Sequence, residues 1–316
     1  MSKLVSISCI TYNHEKYIRE ALDSLLMQET SFEYEILVHD DASTDRTQEI
    51  IRDYQKKHPD IIKPYFQKVN QYSKGIRRIG IKFNLPRAQG KYLAICEGDD
   101  FWNDPFKLQK QVDYMENNKN CTMCCHASDK VHNDGTKIGE IRPFTKNIII
   151  SPEEMILGGG GFIATNSMLY RKSLLETPPK FYENAPVGDY ALQIYFSFMG
   201  ECYYIDEVMS AYRKGVKGSW SSKLSGGKKG RDFSVTHWKN TIKTLESFND
   251  FTQGQYEGII DSRLEELRFE IKCLVGDKSA LRSKYFSKLS SKQKIKKAMT
   301  LFFPSLVDRY KRLKHG

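Results

Sequence analysis

Three carboxylates stand within four residues at Glu97-Gly98-Asp99-Asp100, directly after the apolar run Tyr92-Leu93-Ala94-Ile95. Like charges that close repel one another, so the cluster costs stability unless something positive sits among them. Oxygen ligands in a turn that contains glycine suit a hard divalent cation, Mg2+ or Mn2+, and such an ion keeps coordination positions for phosphate oxygens. Asp40-Asp41 closes a second apolar run, YEILVH, and Thr11-Tyr12-Asn13 follows a third, LVSISCI. A lone acidic cluster is ordinarily a solvated turn. Two of them at the ends of apolar runs point instead to a cation carried in with a diphosphate.

The elements that must position these turns show in the hydrophobic period. LVSISCI is short and β-favouring, and after TYNH come Ile18, Leu22, Leu25 and Leu26 at helical spacing. YEILVHDDAS predicts a second strand, and TDRTQEIIRDYQKKH a second helix capped by Thr44 or Asp45. A strand at IKPYFQ, a segment with Gly and Arg, and the strand KYLAICE follow. Asp104-Pro105 then opens a helix with Leu108, Val112 and Met115 on its apolar face. Strands alternating with helices predict an α/β layered domain with a largely parallel sheet. In such sheets ligands bind outside the carboxyl ends of the strands, where all three polar turns fall. The P-loop pattern is absent and no G-x-G-x-x-G follows the first strand, which excludes P-loop NTPases and argues against a dinucleotide-binding enzyme. Gly158-Gly159-Gly160-Gly161 reads as a loop or hinge.

The chain has 316 residues, 40% hydrophobic and 12% aromatic, enough for one sizeable core or a domain with an appendage. It has no charged-then-apolar leader and no run of about 18 apolar residues, which predicts a soluble, cytoplasmic protein. The seven cysteines fit reduced core thiols better than a disulfide framework. Cys121-Thr122-Met123-Cys124-Cys125 lacks the second pair that a zinc site needs. A formal charge of +10 and a pI near 9.1 suggest an anionic partner. No element interleaves basic and aromatic residues as a nucleic-acid module would, so nucleic acid is not expected as a partner. The excess lies at the C-terminal end, where Lys292, Lys294, Lys296, Lys297, Arg309, Lys311, Arg312 and Lys314 face one acid, Asp308.

SISCITYNHEKYIREALDSLLMQ, VHDDASTDRTQEII and GKYLAICEGDDFWNDPFKLQKQVDYM, followed in order by VGDYALQIYFSFMG and YIDEVMSAYRKGVKGSWS, resemble family 2 glycosyltransferases from Leu4 to Ser221. The resemblance implies the GT-A fold, a Rossmann-like nucleotide-sugar-binding domain with a central, mostly parallel sheet. It implies transfer of a sugar from a nucleotide-sugar donor, a UDP-sugar favoured, to an acceptor hydroxyl with inversion at the anomeric carbon. By similarity Asp40 and Asp41 contact the base and ribose, and Thr11 and Tyr12 flank the base. Asp99 becomes the direct ligand of Mn2+ or Mg2+, Asp100 supports it, and Glu97 reaches a ribose or sugar hydroxyl or a metal-bound water.

The chain departs from the family's pattern in three places. Asp40-Asp41 is followed by Ala42 where the family carries glycine, and Glu97 opens a metal motif that is usually Asp-x-Asp. No histidine follows Tyr212-Arg213 until His237, so Arg213, Lys214 or Lys217 is left to neutralise phosphate. The acceptor hydroxyl must lose its proton as the new bond forms. Asp189, in Val187-Gly188-Asp189-Tyr190, matches the family's base-bearing motif, and on local sequence alone it reads as a helix N-cap.

The expected division is a catalytic domain over 1–221 and, over 222–316, a flexible basic loop followed by a helical C-terminal extension. The loop SSKLSGGKKGRD suits a lid, and Ile260, Leu264, Leu267 and Ile271 repeat at helical spacing. The basic amphipathic stretch 292–316 fits the inner face of a membrane, where lipid-linked acceptors sit, or a helix packed on the protein's own core. The expected partners are a nucleotide-sugar donor, a glycan or lipid-linked acceptor in surface polysaccharide, glycolipid or glycoprotein glycan synthesis, and a second copy through the C-terminal helices. Two rivals stay open. An inactive glycan-binding or scaffold protein of the same fold would need neither Asp99 nor Asp189, and a metal-dependent nucleotidyltransferase would have no use for the Asp189 segment.

Overall fold

A computed structural model describes residues 3–216, 218–223 and 227–303. Strand β1 (Val5–Thr11), helix α1 (Ile18–Leu26), β2 (Tyr34–Asp40), α2 (Thr47–Lys57) and β3 (Ile62–Phe66) alternate along the chain. β2 is buried along its whole length, as a strand covered on both faces must be, so its sequence runs apolar without alternating. Asp45 holds the turn that leads into α2: its Oδ1 accepts the Thr47 N–H at 3.0 Å, while its Oδ2 accepts from the Glu15 N–H at 3.1 Å, and the N-cap position itself is Arg46.

β4 (Tyr92–Ile95), β5 (Phe101–Trp102), α3 (Lys107–Asn117), β6 (Cys121–Val131), β7 (Lys137–Ile141), β8 (Ile148–Ile150), α4 (Pro152–Gly158) and β9 (Leu169–Arg171) follow. Asp104 accepts the Phe106 N–H at 2.7 Å, and α3 starts at Lys107, two residues later than the Asp-Pro pair predicts. Cys121, Cys124 and Cys125 lie buried along β6. The chain continues through α5 (Lys180–Asn184), α6 (Gly188–Met199) and β10 (Glu201–Arg213), then α7 (Trp220–Lys223), α8 (Gly227–Phe251), α9 (Glu257–Val275), α10 (Lys284–Lys288) and α11 (Ser291–Phe302).

The strands form one sheet in the order β3-β2-β1-β4-β9-β6-β10-β5, with β7 on β6 and β8 on β10. The long pairings β1–β2, β1–β4, β2–β3 and β6–β10 are parallel, and the short strands β5, β7, β8 and β9 join antiparallel. This is the α/β architecture with a mostly parallel sheet and C-terminal helices that the sequence predicts. Val5, Ile7, Cys9, Ile36, Val38 and Ala94 from the sheet pack with Ile18, Leu22, Leu25, Leu108 and Val112 from the helices, each buried Val, Ile or Leu contributing about 1.5–3 kcal/mol of transfer free energy.

The chain divides into two compact units: Met1–Pro178 with Leu192–Lys214, and Pro179–Ala191 with Gly215–Gly316. The first carries the whole sheet. In the second, α8 lies against α9, and Phe181 of α5 packs its ring on Phe248 and Phe251. The expected basic loop is in part helix, because α8 begins at Gly227 and takes in the lysines that follow. Residues 217 and 224–226 lie outside the described residues, and so does the tail from 304. Among the described residues no helix is long and apolar enough to cross a membrane.

Candidate functional site

β1, β2 and β4 are parallel neighbours, so the turns that follow them share one edge of the sheet. After β1 and β2 the two turns are laced together. Ser43 Oγ accepts the Asn13 N–H at 2.9 Å, Asn13 Oδ1 accepts the Thr44 N–H at 2.8 Å, and Thr47 Oγ1 accepts the His14 N–H at 2.8 Å. The lacing requires left-handed backbone at Asn13 (φ 56°) and Ala42 (φ 64°). Asparagine tolerates that region, whereas alanine costs about 1 kcal/mol there, which is the physical content of the family's preference for glycine at this position.

The two aspartates of β2 are held differently. Asp41 is saturated: its oxygens accept the backbone N–H groups of Gln71 at 2.7 Å and Tyr72 at 3.0 Å, fixing the loop after β3. Asp40 is fully buried; its Oδ2 accepts from the Ser43 N–H at 3.0 Å and Gln48 Nε2 at 2.6 Å, and its Oδ1 has no partner. A buried acceptor left unpaired costs about 1–3 kcal/mol, so Oδ1 is an unsatisfied acceptor at the end of β2. Tyr12 stands beside this turn with its side chain exposed. Beneath the turn, His39 is stacked on Phe83 at 4.7 Å and on Tyr65 at 5.7 Å, and burial holds its pKa down at about 4.

The turn after β4 presses against the end of β1. A Cβ on Gly98 would lie 2.7 Å from Thr11 Oγ1 and 3.1 Å from His14 Nδ1, so only glycine allows the approach. Both of those atoms are buried without a partner. Asp100 is buried and saturated: Oδ1 accepts the Arg213 N–H at 2.8 Å and Oδ2 accepts Asn166 Nδ2 at 3.0 Å. Burial first, then the charges of Asp99 and Glu97, raise its pKa well above the ordinary carboxylate range. Asp99 is different. Its carboxylate meets no hydrogen-bond donor among the described residues, and its Oδ2 lies 3.9 Å from His14 Nε2.

Part of the positive charge that this cluster needs is built in. Arg213, buried at the end of β10, donates to Asp99 O at 2.9 Å, His132 O at 3.1 Å and Asn133 O at 2.9 Å, and pairs with Glu20. The rings of Tyr17 and Phe101 flank its guanidinium at 4.8 and 5.4 Å. Arg213 is therefore a brace for the acidic turn and not a free phosphate ligand, because its donors are committed to protein acceptors. Lys214 stays exposed.

Among the described residues no three His, Cys, Asp or Glu side chains converge to hold a cation. Asp99 with one neighbour, His14 or the half-buried Glu97, would be the donor set for such an ion. Mg2+ and Mn2+ commonly take one or two protein carboxylates and complete their shell with diphosphate oxygens and water, so the set fits an ion that arrives with its nucleotide. Asp189 lies in the first turn of α6, within the second unit. Its side chain reaches solvent, yet the protein crowded around it raises its pKa.

The sheet edge thus gathers Thr11, Tyr12, Asp40, Asp41, Glu97, Asp99 and Asp100. His14 and Asn166 escaped the sequence reading. His14 follows directly on the Thr11-Tyr12-Asn13 turn, and its place was legible there; Asn166 sits in a short helical turn with no motif around it.

The model of the glycosyl transferase family 2 matches residues 6–177. An uncharacterized protein of Mycobacterium tuberculosis is 35% identical over 261 residues, which span 80% of this chain and 70% of that protein. The crystal structure of S. aureus TarS residues 1–349 in complex with UDP superposes with a TM-score of 0.60 at 17% identity, over 92% of this chain and 77% of that one. A mannosyltransferase from Pyrobaculum calidifontis in complex with GDP-Man and Mn2+ gives 0.61 at 14% identity, over 96% and 82%. These likenesses show a shared GT-A fold.

Proposed function

The chain belongs to glycosyl transferase family 2, and from that premise we propose that it transfers a sugar from a nucleotide-diphosphate sugar, a UDP-sugar by preference, to a hydroxyl of a glycan or lipid-linked acceptor, with inversion at the anomeric carbon. The observation that carries the reading is the pair of incompletely paired carboxylates, the buried Asp40 and Asp99, at the end of β2 and beyond β4, the two strands that flank β1. The UDP and the GDP-Man with Mn2+ held by structures of the same fold support it.

In this reading the unpaired Asp40 Oδ1 accepts a base N–H, with Tyr12 and Thr11 flanking the base. Asp41 acts by holding the loop at Gln71 and Tyr72, against which the ribose lies. Asp99, with His14, would hold Mn2+ or Mg2+, which when bound stabilises the charge of the diphosphate leaving group as a Lewis acid. Glu97 is the hydroxyl-binding group, and Asp100 acts through its braces. The acceptor oxygen forms a bond to the anomeric carbon as the bond from that carbon to the diphosphate oxygen breaks, and the proton passes to Asp189. One displacement inverts the centre. The raised pKa of Asp189 brings it nearer to the working pH, where a general base is most effective.

The test is release of nucleoside diphosphate from a panel of UDP- and GDP-sugars with acceptor present, for the parent protein and Asp189→Asn. The variant is expected to lose about 10²–10⁴-fold in turnover while binding the nucleotide as before. Undiminished turnover would remove Asp189 from the chemistry, and no turnover by the parent on any donor would favour the inactive binding-protein reading.

A further inference from the structure

Helix α11 rests on its own unit by one edge only. Leu301 is buried, Lys297 pairs with Glu270 of α9, and Lys294 Nζ donates to Ser287 O at 3.0 Å. The opposite side is largely open and apolar: Ile295 is 63% exposed, Met299 51%, Phe302 48% with Lys278 Nζ 5.7 Å from its ring centre, and, just past the helix end, Phe303 54%. At about 100° per residue, Ile295, Met299 and Phe302 fall within roughly 60° of one another, a single stripe. Exposed Lys292 and Lys296 border that stripe on one side, and Lys294 lies at about 100° on the other. The helix contains no acid.

The chemistry of this face selects its occupant. A second copy seated about a two-fold axis would set lysine-bordered stripes against one another, with like charges facing and no acid on the helix to relieve them. A nucleic acid would engage the lysines and leave the aromatic and aliphatic stripe in water. An anionic lipid surface meets both needs: the stripe enters the boundary between headgroups and acyl chains, and the lysines meet phosphate. We propose that α11 seats the protein on an anionic membrane through Ile295, Met299, Phe302 and Phe303, with Lys292 and Lys296 as the headgroup contacts. The sequence after the helix continues the same charge, with Arg309, Lys311, Arg312 and Lys314 against Asp308. This seating goes beyond the catalytic reading and does not depend on it.

The experiment is co-sedimentation of the full chain with vesicles of phosphatidylcholine alone, or of three parts phosphatidylcholine to one part phosphatidylglycerol, at low and high salt. Binding is expected on the anionic vesicles only, and it should weaken with salt. Lys292→Gln with Lys296→Gln, and separately Ile295→Ser with Phe302→Ser, should each lower the partition coefficient about tenfold or more. Both pairs are exposed, and an unchanged thermal transition checks that each variant folds. Equal binding to neutral vesicles, absence of binding, or variants that sediment like the parent would overturn the proposal. A dimer in the ultracentrifuge that dissociates in the Ser variant would also overturn it and give the face to a second copy.

Discussion

The two acidic strand ends resemble each other in sequence and differ in what they do with their carboxylates. At β2 the second aspartate of the pair, Asp41, is saturated by backbone N–H groups, and the first, Asp40, keeps one buried oxygen unpaired. At β4 Asp100 is saturated by Arg213 and Asn166, and Asp99 before it stays open. Each end therefore holds one structural carboxylate and one with unfilled hydrogen-bonding capacity. The ends also differ in their charge balance. β4 carries a buried arginine among its acids, whereas β2 rests on a neutral histidine. Adjacent acids of one type are thus not interchangeable, since the donors that surround each one decide its role.

The largest difference expected between the two ends is their response to acid. Burial depresses the pKa of His39 from 6.5 to about 4, so between those values the unfolded chain takes a proton that the folded one refuses. Stability present above pH 6.5 is then lost as pH falls towards 4, by about 2–3 kcal/mol from this group. Urea unfolding from pH 7 to 4.5 should show that slope, and His39→Leu should flatten it. An unchanged slope in the variant would place the acid sensitivity elsewhere, in His14 beside Asp99 or in His126, whose pKa values burial also depresses.

A smaller effect separates the members of each pair. Asp100→Ala leaves the Arg213 N–H without its acceptor and deprives Asn166 of one of two, which should cost about 1–3 kcal/mol in unfolding free energy. Asp99→Asn touches no hydrogen bond of its carboxylate and relieves like-charge repulsion on Asp100, so its stability should match or slightly exceed the parent's. Equal losses in the two variants would dissolve the distinction between structural and open carboxylates.

The parallel half of the sheet was legible because β1, β2 and β4 are apolar runs, and α1 to α3 carry a clear helical period beside them. The antiparallel strands were not, since β5 spans 2 residues and β8 and β9 span 3 each, too few to display a period. Thr11, Asp40, Asp41, Glu97 and Asp99 could be placed at one edge because strand ends of a parallel sheet converge. Their partners could not, because Arg213 and Asn166 meet Asp100 from 113 and 66 residues away. Arg213 therefore looked like a phosphate ligand when read beside its sequence neighbours. The Gly- and Lys-rich stretch looked like a loop because glycine is a poor helix former, yet from Gly227 onward it is helix.

The central claim is that Asp99 supplies an open carboxylate to a cation that enters with a nucleoside diphosphate. Calorimetric titration of the parent and of Asp99→Asn with UDP and with GDP, each with and without Mn2+, tests it most directly. The account predicts that one diphosphate binds the parent tightly only when Mn2+ is present, and that Asp99→Asn lowers that affinity by about 100-fold while leaving the weaker metal-free binding unchanged. Metal-enhanced binding that survives intact in Asp99→Asn would contradict it.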